Sequence, residues 1–288
     1  MIVVMGATGT IGRALLKRLI ELGVPTRALS RTPEKLQMLM GERAESTVEV
    51  AAAEASDPES LRRAFAGANQ LFLSLSNSPD QVELETAMIR IAAEAGIQHI
   101  VKISSPAYDE KAPVAVARWH QEIESALSES GMKSTVLRPY AFMQNLLRFA
   151  PTIQTQHVFF GAMGETACNF IDCRDIADVA AEALTHPEKA GRVYTLTGSE
   201  VFSYSQIASK LSELLDRPIT YINKDSEALR RDLMEYGNMP EWLASHVVEI
   251  QAMSVVIPEK PTDDVWCVLG REPRQLDAFL QEHSEKFR

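Results

Sequence analysis

Cysteine is scarce in this chain of 288 residues: Cys168, Cys173 and Cys267 are the only three, and no two of them form a Cys-x-x-Cys spacing. An odd, unclustered set excludes a disulfide scaffold and fits a reducing compartment, so a cytoplasmic location is expected. The six histidines form no His-x-x-x-His pair, and no metal site is expected. Positive charge is also short, with 29 Lys and Arg against 39 Asp and Glu for a net −10. With no basic run, nucleic acid and anionic membrane surfaces are excluded as general partners. No apolar stretch approaches the roughly 20 residues that cross a bilayer. The opening MIVVMGATGTIG has no basic segment before its apolar residues, so it reads as a first strand rather than a signal peptide. What remains is 45% hydrophobic and 24% charged residues, enough for one large α/β unit or two modest ones without covalent staples.

Strand-like and helix-like segments alternate through the first half. IVVM (2–5) precedes a helix over 11–22, TRALS (26–30) a helix near 33–40, and a strand near 47–50 a helix near 58–65. QLFLSL (70–75), a helix over 81–95, HIVKIS (99–104), a helix over 115–129 and STVLR (134–138) follow. Parallel neighbours need crossover helices, so this alternation predicts a doubly wound α/β fold with a parallel Rossmann sheet. In the helix over 81–95, Leu84, Ala87, Met88, Ile91, Ala92 and Ala95 recur at three- and four-residue steps, which predicts a sheet-facing stripe with Glu83, Glu85, Arg90 and Glu94 mostly in water.

Beyond Arg138 the pattern loosens. Met143 to Phe149 and Arg174 to Leu184 look helical, Cys168–Ile171 and Arg192–Leu196 look extended, and Tyr204–Leu215 is helical. ITYIN (219–223) then precedes helical stretches near 226–235 and 241–254. The division expected is a nucleotide-binding domain over 1–150 and a smaller α+β cap over 151–288, partly interleaved with it.

Gly6, Thr8, Gly9, Thr10, Ile11 and Gly12 lie in a GxxGxxG turn between the first strand and first helix. A tight turn and close backbone approach bring main-chain N–H groups and a helix dipole onto a pyrophosphate, and a Cβ there would block it. After the second strand stands Arg31, where an acid would select the ribose hydroxyls of NAD(H). A guanidinium can pair with a 2′-phosphate, which favours NADP(H) and leaves NAD(H) possible.

GATGTIG, the ALSR turn, HIVKISS, SGMKSTVLRPYAFMQN, FIDCRDIADVAAEAL and LGREPRQLDAFL together resemble the NmrA-like family of atypical short-chain dehydrogenases/reductases. The likeness runs over nearly the whole chain and is greatest to the bacterial NAD(P)H quinone oxidoreductase, triphenylmethane-dye reductase and azoreductase types. The resemblance implies a substrate cleft between nucleotide domain and cap. It places Glu54 near adenine, Leu75 and Ser76 beside the cofactor, Ser104, Ser105 and Pro106 after the fifth strand, and Pro139, Tyr140, Phe142 and Asn145 after the sixth.

The helix over 115–129 has neither member of the Tyr-x-x-x-Lys pair used by ordinary short-chain dehydrogenases. Chemistry run by that pair is therefore not expected, with Tyr108 kept as a displaced proton donor. Hydride delivery to an already electrophilic aromatic acceptor, such as a quinone, an azo bond or a triphenylmethane-type dye, needs mainly positioning. His120 is the internal proton-donor candidate, with Glu124 one turn on to orient it or raise its pKa. Ser104 and Ser105 are candidate donors to nicotinamide or substrate, Trp119, Tyr140, Phe142 and Met143 candidate walls for a flat substrate, and Asn145 a further substrate-site candidate. Lys102 reads as a structural or edge residue, Arg138 as an ion-pair anchor, and Asp172 and Asp175 as fasteners or caps. The competing reading is a non-catalytic NADP(H)-binding redox-sensing regulator. Either is expected as a monomer or homodimer.

Overall fold

The computed structural model describes residues 1–40, 47–106 and 114–288. β1 (Ile2–Met5), β2 (Thr26–Ser30), β3 (Val48–Ala52), β4 (Gln70–Leu73), β5 (His99–Ile103), β6 (Lys133–Pro139) and β10 (Val193–Leu196) form one sheet in the order β10-β6-β5-β4-β1-β2-β3. Every neighbouring pair in it is parallel. The doubly wound sheet expected from the alternation is thus present. The chain reverses its direction of travel across the sheet between β1 and β4, the crevice where open α/β sheets take ligands.

Helices cover both faces. α1 (Thr10–Glu21), α7 (Cys173–Thr185) and α11 (Asp264–Leu269) lie on one face, and α3 (Pro58–Phe65), α4 (Gln81–Glu94) and α5 (Ala115–Glu129) on the other. Because strand side chains alternate, Val101 and Ile103 of β5 join the first apolar cluster while Ile100 joins the second. Asp57 caps α3 through the Glu59 N–H, followed by proline at the first helical position, a strong start signal.

Several expectations shift. The strand read over 70–75 ends at Leu73, and Leu75 folds against the second cluster. In α4 the buried stripe is Gln81, Glu85, Met88, Ile89 and Ala92, with Ile91. It shares Met88, Ile91 and Ala92 with the stripe that hydrophobicity alone selects and is turned from it toward Glu85 and Ile89, with Leu84 and Ala95 left partly buried at its margin. Glu85, expected in water, is fully buried, and its compensating charge is described below. The 143–149 helix is a 3₁₀ helix.

The remaining elements gather around a third apolar cluster. β7 (Ala141–Phe142), β9 (Ala167–Ile171) and β11 (Val201–Ser203) form a small sheet, and β8 (Val158–Gly161) pairs β12 (Thr220–Asn223). α8 (Tyr204–Leu215) opens with a complete capping box between Ser203 and Gln206. Phe149, Phe159, Tyr204 and Tyr221 pack ring to ring, with centroids 4.8–5.7 Å apart, spacings at which aromatic pairs attract beyond simple burial. α10 (Glu241–Val256) leaves this part to lie against the start of α5.

Candidate functional site

The glycine turn directly follows β1. Gly6 has φ +88°, and a Cβ on it would stand 1.9 Å from the Ser74 carbonyl oxygen. A Cβ on Gly12 would stand 2.1 Å from the Gly6 carbonyl oxygen. Neither position accepts a side chain. Gly9 differs, since its Cβ would meet only the Gly6 oxygen at 3.3 Å and otherwise open space. It is the N-cap of α1, without a side-chain cap hydrogen bond and without an acidic residue in the first turn. Thr8, Gly9 and Thr10 are exposed, while Ile11 and Gly12 are buried beneath them. An uncapped, uncompensated helix N-terminus with an open approach fits a bound diphosphate.

The other cofactor candidates follow the carboxyl ends of successive strands, along the same rim of the sheet. Arg31 is exposed after β2 and makes no ion pair with any described residue. Beside it, the Thr32 N–H donates to Ser30 Oγ at 3.0 Å. Glu54 is half-buried after β3, its backbone N–H held by Ser60 Oγ at 3.1 Å. Leu75 is half-buried and Ser76 exposed after β4. Pro139 ends β6, and the half-buried Tyr140 donates its backbone N–H to Leu196 O at 3.0 Å. Burial and the neighbouring Glu259 raise the Tyr140 phenol above its ordinary pKa.

After β5, Ser104 is buried and its hydroxyl donates to Glu124 Oε1 at 2.5 Å. Ser105 is half-buried, and its hydroxyl reaches only the Pro106 carbonyl at 3.5 Å. Tyr108 lies outside the described residues.

The expected His120–Glu124 pair is replaced by a different arrangement. Glu124 is engaged by Arg138, whose Nε and Nη2 donate to its two oxygens at 3.1 and 2.5 Å, and by Ser104. Arg138 is thus the anchor that was expected. His120 turns instead to Lys102, whose Nζ is 3.4 Å from His120 Nδ1. Burial, then the Lys102 ammonium, then His246 of α10 hold the His120 pKa well below 6.5, the opposite of the rise expected from Glu124. The imidazole is neutral at physiological pH.

Lys102 is not an edge residue. β5 has strands on both sides, the Lys102 side chain is fully buried, and its Nζ lies 2.8 Å from Glu85 Oε2 of α4. It also donates to the Ile103 carbonyl. Glu85 Oε2 receives no well-directed hydrogen bond, so charge attraction carries that contact, while Oε1 accepts from Gln81 Nε2 at 3.0 Å. Three elements, α4, β5 and α5, therefore converge on one buried polar chain beside the rim. A lysine inside HIVKIS was its sequence signal, and a glutamate among the apolar residues of α4 its complement.

The substrate-wall candidates fall in distinct places. Trp119 is half-buried against Trp242 of α10, with ring centroids 6.4 Å apart. Phe142 is half-buried against the first apolar cluster, Met143 is 2% exposed within the third, and Asn145 is exposed. Asp172 caps α7 through the Arg174 N–H at 2.8 Å and accepts from Gln144 and the Arg174 guanidinium. Burial alone would raise its pKa, but these hydrogen bonds hold it below the ordinary value. Asp175 is fully buried and binds Arg271 at 2.7 Å, the Arg274 guanidinium and the Arg274 N–H. Both aspartates therefore serve as fasteners. No group of His, Cys, Asp or Glu able to hold a metal occurs among the described residues, nor any helix long and apolar enough to cross a membrane. Burial raises the Cys168 and Cys173 thiols far above their ordinary range.

Comparison with known proteins agrees with this geometry. The chain is 34% identical to an NAD(P)H azoreductase of Xenophilus azovorans, over all of this chain and 99% of that one. It is equally 34% identical to a (4-alkanoyl-5-oxo-2,5-dihydrofuran-3-yl)methyl phosphate reductase of Streptomyces griseus, again over 100% and 99% of the two chains. Among solved structures, the NADPH complex of an Escherichia coli quinone oxidoreductase superposes with a TM-score of 0.87 at 26% identity, covering 98% and 99% of the chains. The sequence pattern of the NmrA-like family matches residues 1–280, so the chain belongs to the NmrA-like family.

Proposed function

We propose that this protein is an NADPH-dependent reductase that delivers hydride to a flat, electron-poor acceptor, of the quinone, azo or cationic dye kind. The observation that carries the reading is the bare N-terminus of α1: Gly6 and Gly12 must be glycine for the turn to close, whereas Gly9 leaves its outer side open. The names of the azoreductase, quinone oxidoreductase and oxo-dihydrofuran reductase relatives support the class of acceptor.

The bound nicotinamide would supply the hydride. This chain's residues hold and orient the reactants. The turn and the α1 N-terminus bind diphosphate, and Arg31 with the Ser30–Thr32 bend receives the 2′-phosphate. The α5 helix, AVARWHQEIESALSE, contains no Tyr or Lys, so no phenol–ammonium pair on it protonates an alkoxide. In its place His120 donates a hydrogen bond as a neutral imidazole to the oxygen or nitrogen that gains charge. A neutral histidine can polarise a carbonyl in this way, and the proton finally comes from water. An acceptor already electrophilic needs no stronger acid.

The test is NADPH oxidation over a panel of naphthoquinone, azo dye and triphenylmethane dye, alongside calorimetric binding of NADPH and NADH. Steady turnover above the chemical background is expected with at least one acceptor. Tight NADPH binding without turnover on the whole panel would instead support the redox-sensing regulator. Arg31→Ala should weaken NADPH by about 10- to 100-fold, the range of one or two charge-assisted hydrogen bonds, and leave NADH nearly unchanged. Equal losses for both would remove the 2′-phosphate role.

A further inference from the structure

The Lys102 ammonium has three protons and accepts no hydrogen bond. Its surroundings offer the Ile103 carbonyl, the Glu85 carboxylate at 2.8 Å and His120 Nδ1 at 3.4 Å. An imidazole nitrogen facing an ammonium can only be the unprotonated one. We propose that Lys102, held by Glu85, is a positioning residue that fixes His120 as the Nε2–H tautomer, so that this imidazole is a permanent hydrogen-bond donor rather than an acid that titrates. The inference deepens the reading above and rests on it for its catalytic consequence, although the tautomer itself does not.

The described groups around His120 all work in one direction. From β5 comes the Lys102 cation, and from α10 comes His246, which is itself pushed down to about 4 by burial, with its Nδ1 buried and unpartnered. Among the described residues, the carboxylates that could favour an imidazolium are engaged elsewhere. Glu85 of α4 faces Lys102, Glu124 of α5 faces Arg138 of β6 and Ser104, and Glu249 of α10 accepts the Ala115 N–H at 3.3 Å. His120 is 5% exposed, so water does little to stabilise a charged ring.

A fixed tautomer has a kinetic signature. An imidazolium acid would lose activity as pH rises through its pKa, whereas a locked neutral donor gives a rate that is flat across neutrality. Removing Lys102 alone would strand the Glu85 charge, so the informative variant is Glu85→Gln/Lys102→Met, which deletes both charges at similar volume.

The direct test is long-range ¹H–¹⁵N correlation of the histidine rings in the full-length protein without cofactor, with His120 assigned by comparison with His120→Gln. The wild type should show the Nε2–H pattern for His120, unchanged between about pH 5 and 8. The double variant should show tautomer exchange or an upward movement of the His120 pKa towards the ordinary value. An Nδ1–H pattern in the wild type, titration of His120 inside that window, or a ring signal unaltered in the double variant would overturn the proposal. If the double variant fails to fold, the wild-type spectrum alone decides. The activity arm is NADPH-dependent quinone reduction. The double variant should lose about tenfold or more in kcat, with a new pH dependence and little change in the KM for NADPH, the scale of a positioned proton-transfer or donor group being 10²–10⁴ at most. A locked wild-type ring in a protein with no turnover on any acceptor would refute the reductase reading and leave the lock standing.

Discussion

The two faces of the central sheet are built on different principles. On the α1, α7 and α11 face the interior is mainly aliphatic, with Leu15, Leu19, Ile176, Ala177, Ala180, Leu184 and Leu196 against Val4, Phe72, Val101 and Leu137. The buried His99 beside it is held by Gln70 and Thr135, with no ion partner among the described residues. The charges on that side, Asp172 and Asp175, sit at the start of α7, where arginines meet them. On the α3, α4 and α5 face an equally buried apolar cluster is interrupted by Glu85, Lys102 and His120. A buried ion pair gains little over a well-packed apolar pair, because desolvation offsets most of the attraction. The first face thus shows what this sheet needs in order to fold. The second shows what is added to it, at the end of β5 nearest the proposed hydride-transfer site.

The largest effect should come from splitting the pair. Lys102→Met leaves Glu85 buried without a cation and should cost about 3–5 kcal/mol, read as a fall in urea midpoint at unchanged slope. Glu85→Gln/Lys102→Met should recover most of that loss. A double variant as unstable as the single would mean that the second face depends on its charges for stability, and the contrast between the faces would fail. Next comes Leu15→Ala on the apolar face, where a buried leucine truncated to alanine costs about 2–5 kcal/mol through lost transfer energy and a cavity. That cost should be the same at every pH between about 5 and 8, since the titratable members of its cluster, Cys173 and Tyr194, are both pushed upward by burial, away from that window.

The smallest effect concerns acidification. The folded-state pKa values of His120 and His246 lie below the ordinary 6.5, that of His246 at about 4. Between those values the unfolded chain binds more protons than the folded one, so stability rises with pH. It should therefore fall as pH drops from about 6.5 towards 4, and be insensitive to these rings above that window. His246→Gln should make the slope shallower in urea titrations run across the window. An unchanged slope would assign the acid sensitivity to other groups.

Much of this architecture was legible in the sequence because its strongest signals are local. The α5 bounds follow from helical period, and the glycine turn follows from its place after the first strand. The identity of Arg138 as an anchor also came through, since an arginine after a strand and before a proline has few other uses. The His120 environment did not. Helical spacing named Glu124 as its partner because the two are neighbours along one face, but spacing says nothing about competitors from other elements, and Arg138 and Ser104 claimed the carboxylate. Glu85 was placed in water for the same reason: a single-helix stripe cannot register that a lysine from the sheet will meet it. The shortest strands, β7 and β11, were missed because two or three residues carry no readable alternation.

The clamp of Arg271 and Arg274 on Asp175 and Asp178 has a consequence for biosynthesis. Asp175 is withdrawn from water by α7, yet its counter-cations lie almost a hundred residues later. Until residues 271–274 are made, burying that carboxylate would leave it without a cation at a cost of about 3–5 kcal/mol, so α7 gains its full docking energy only once they are present.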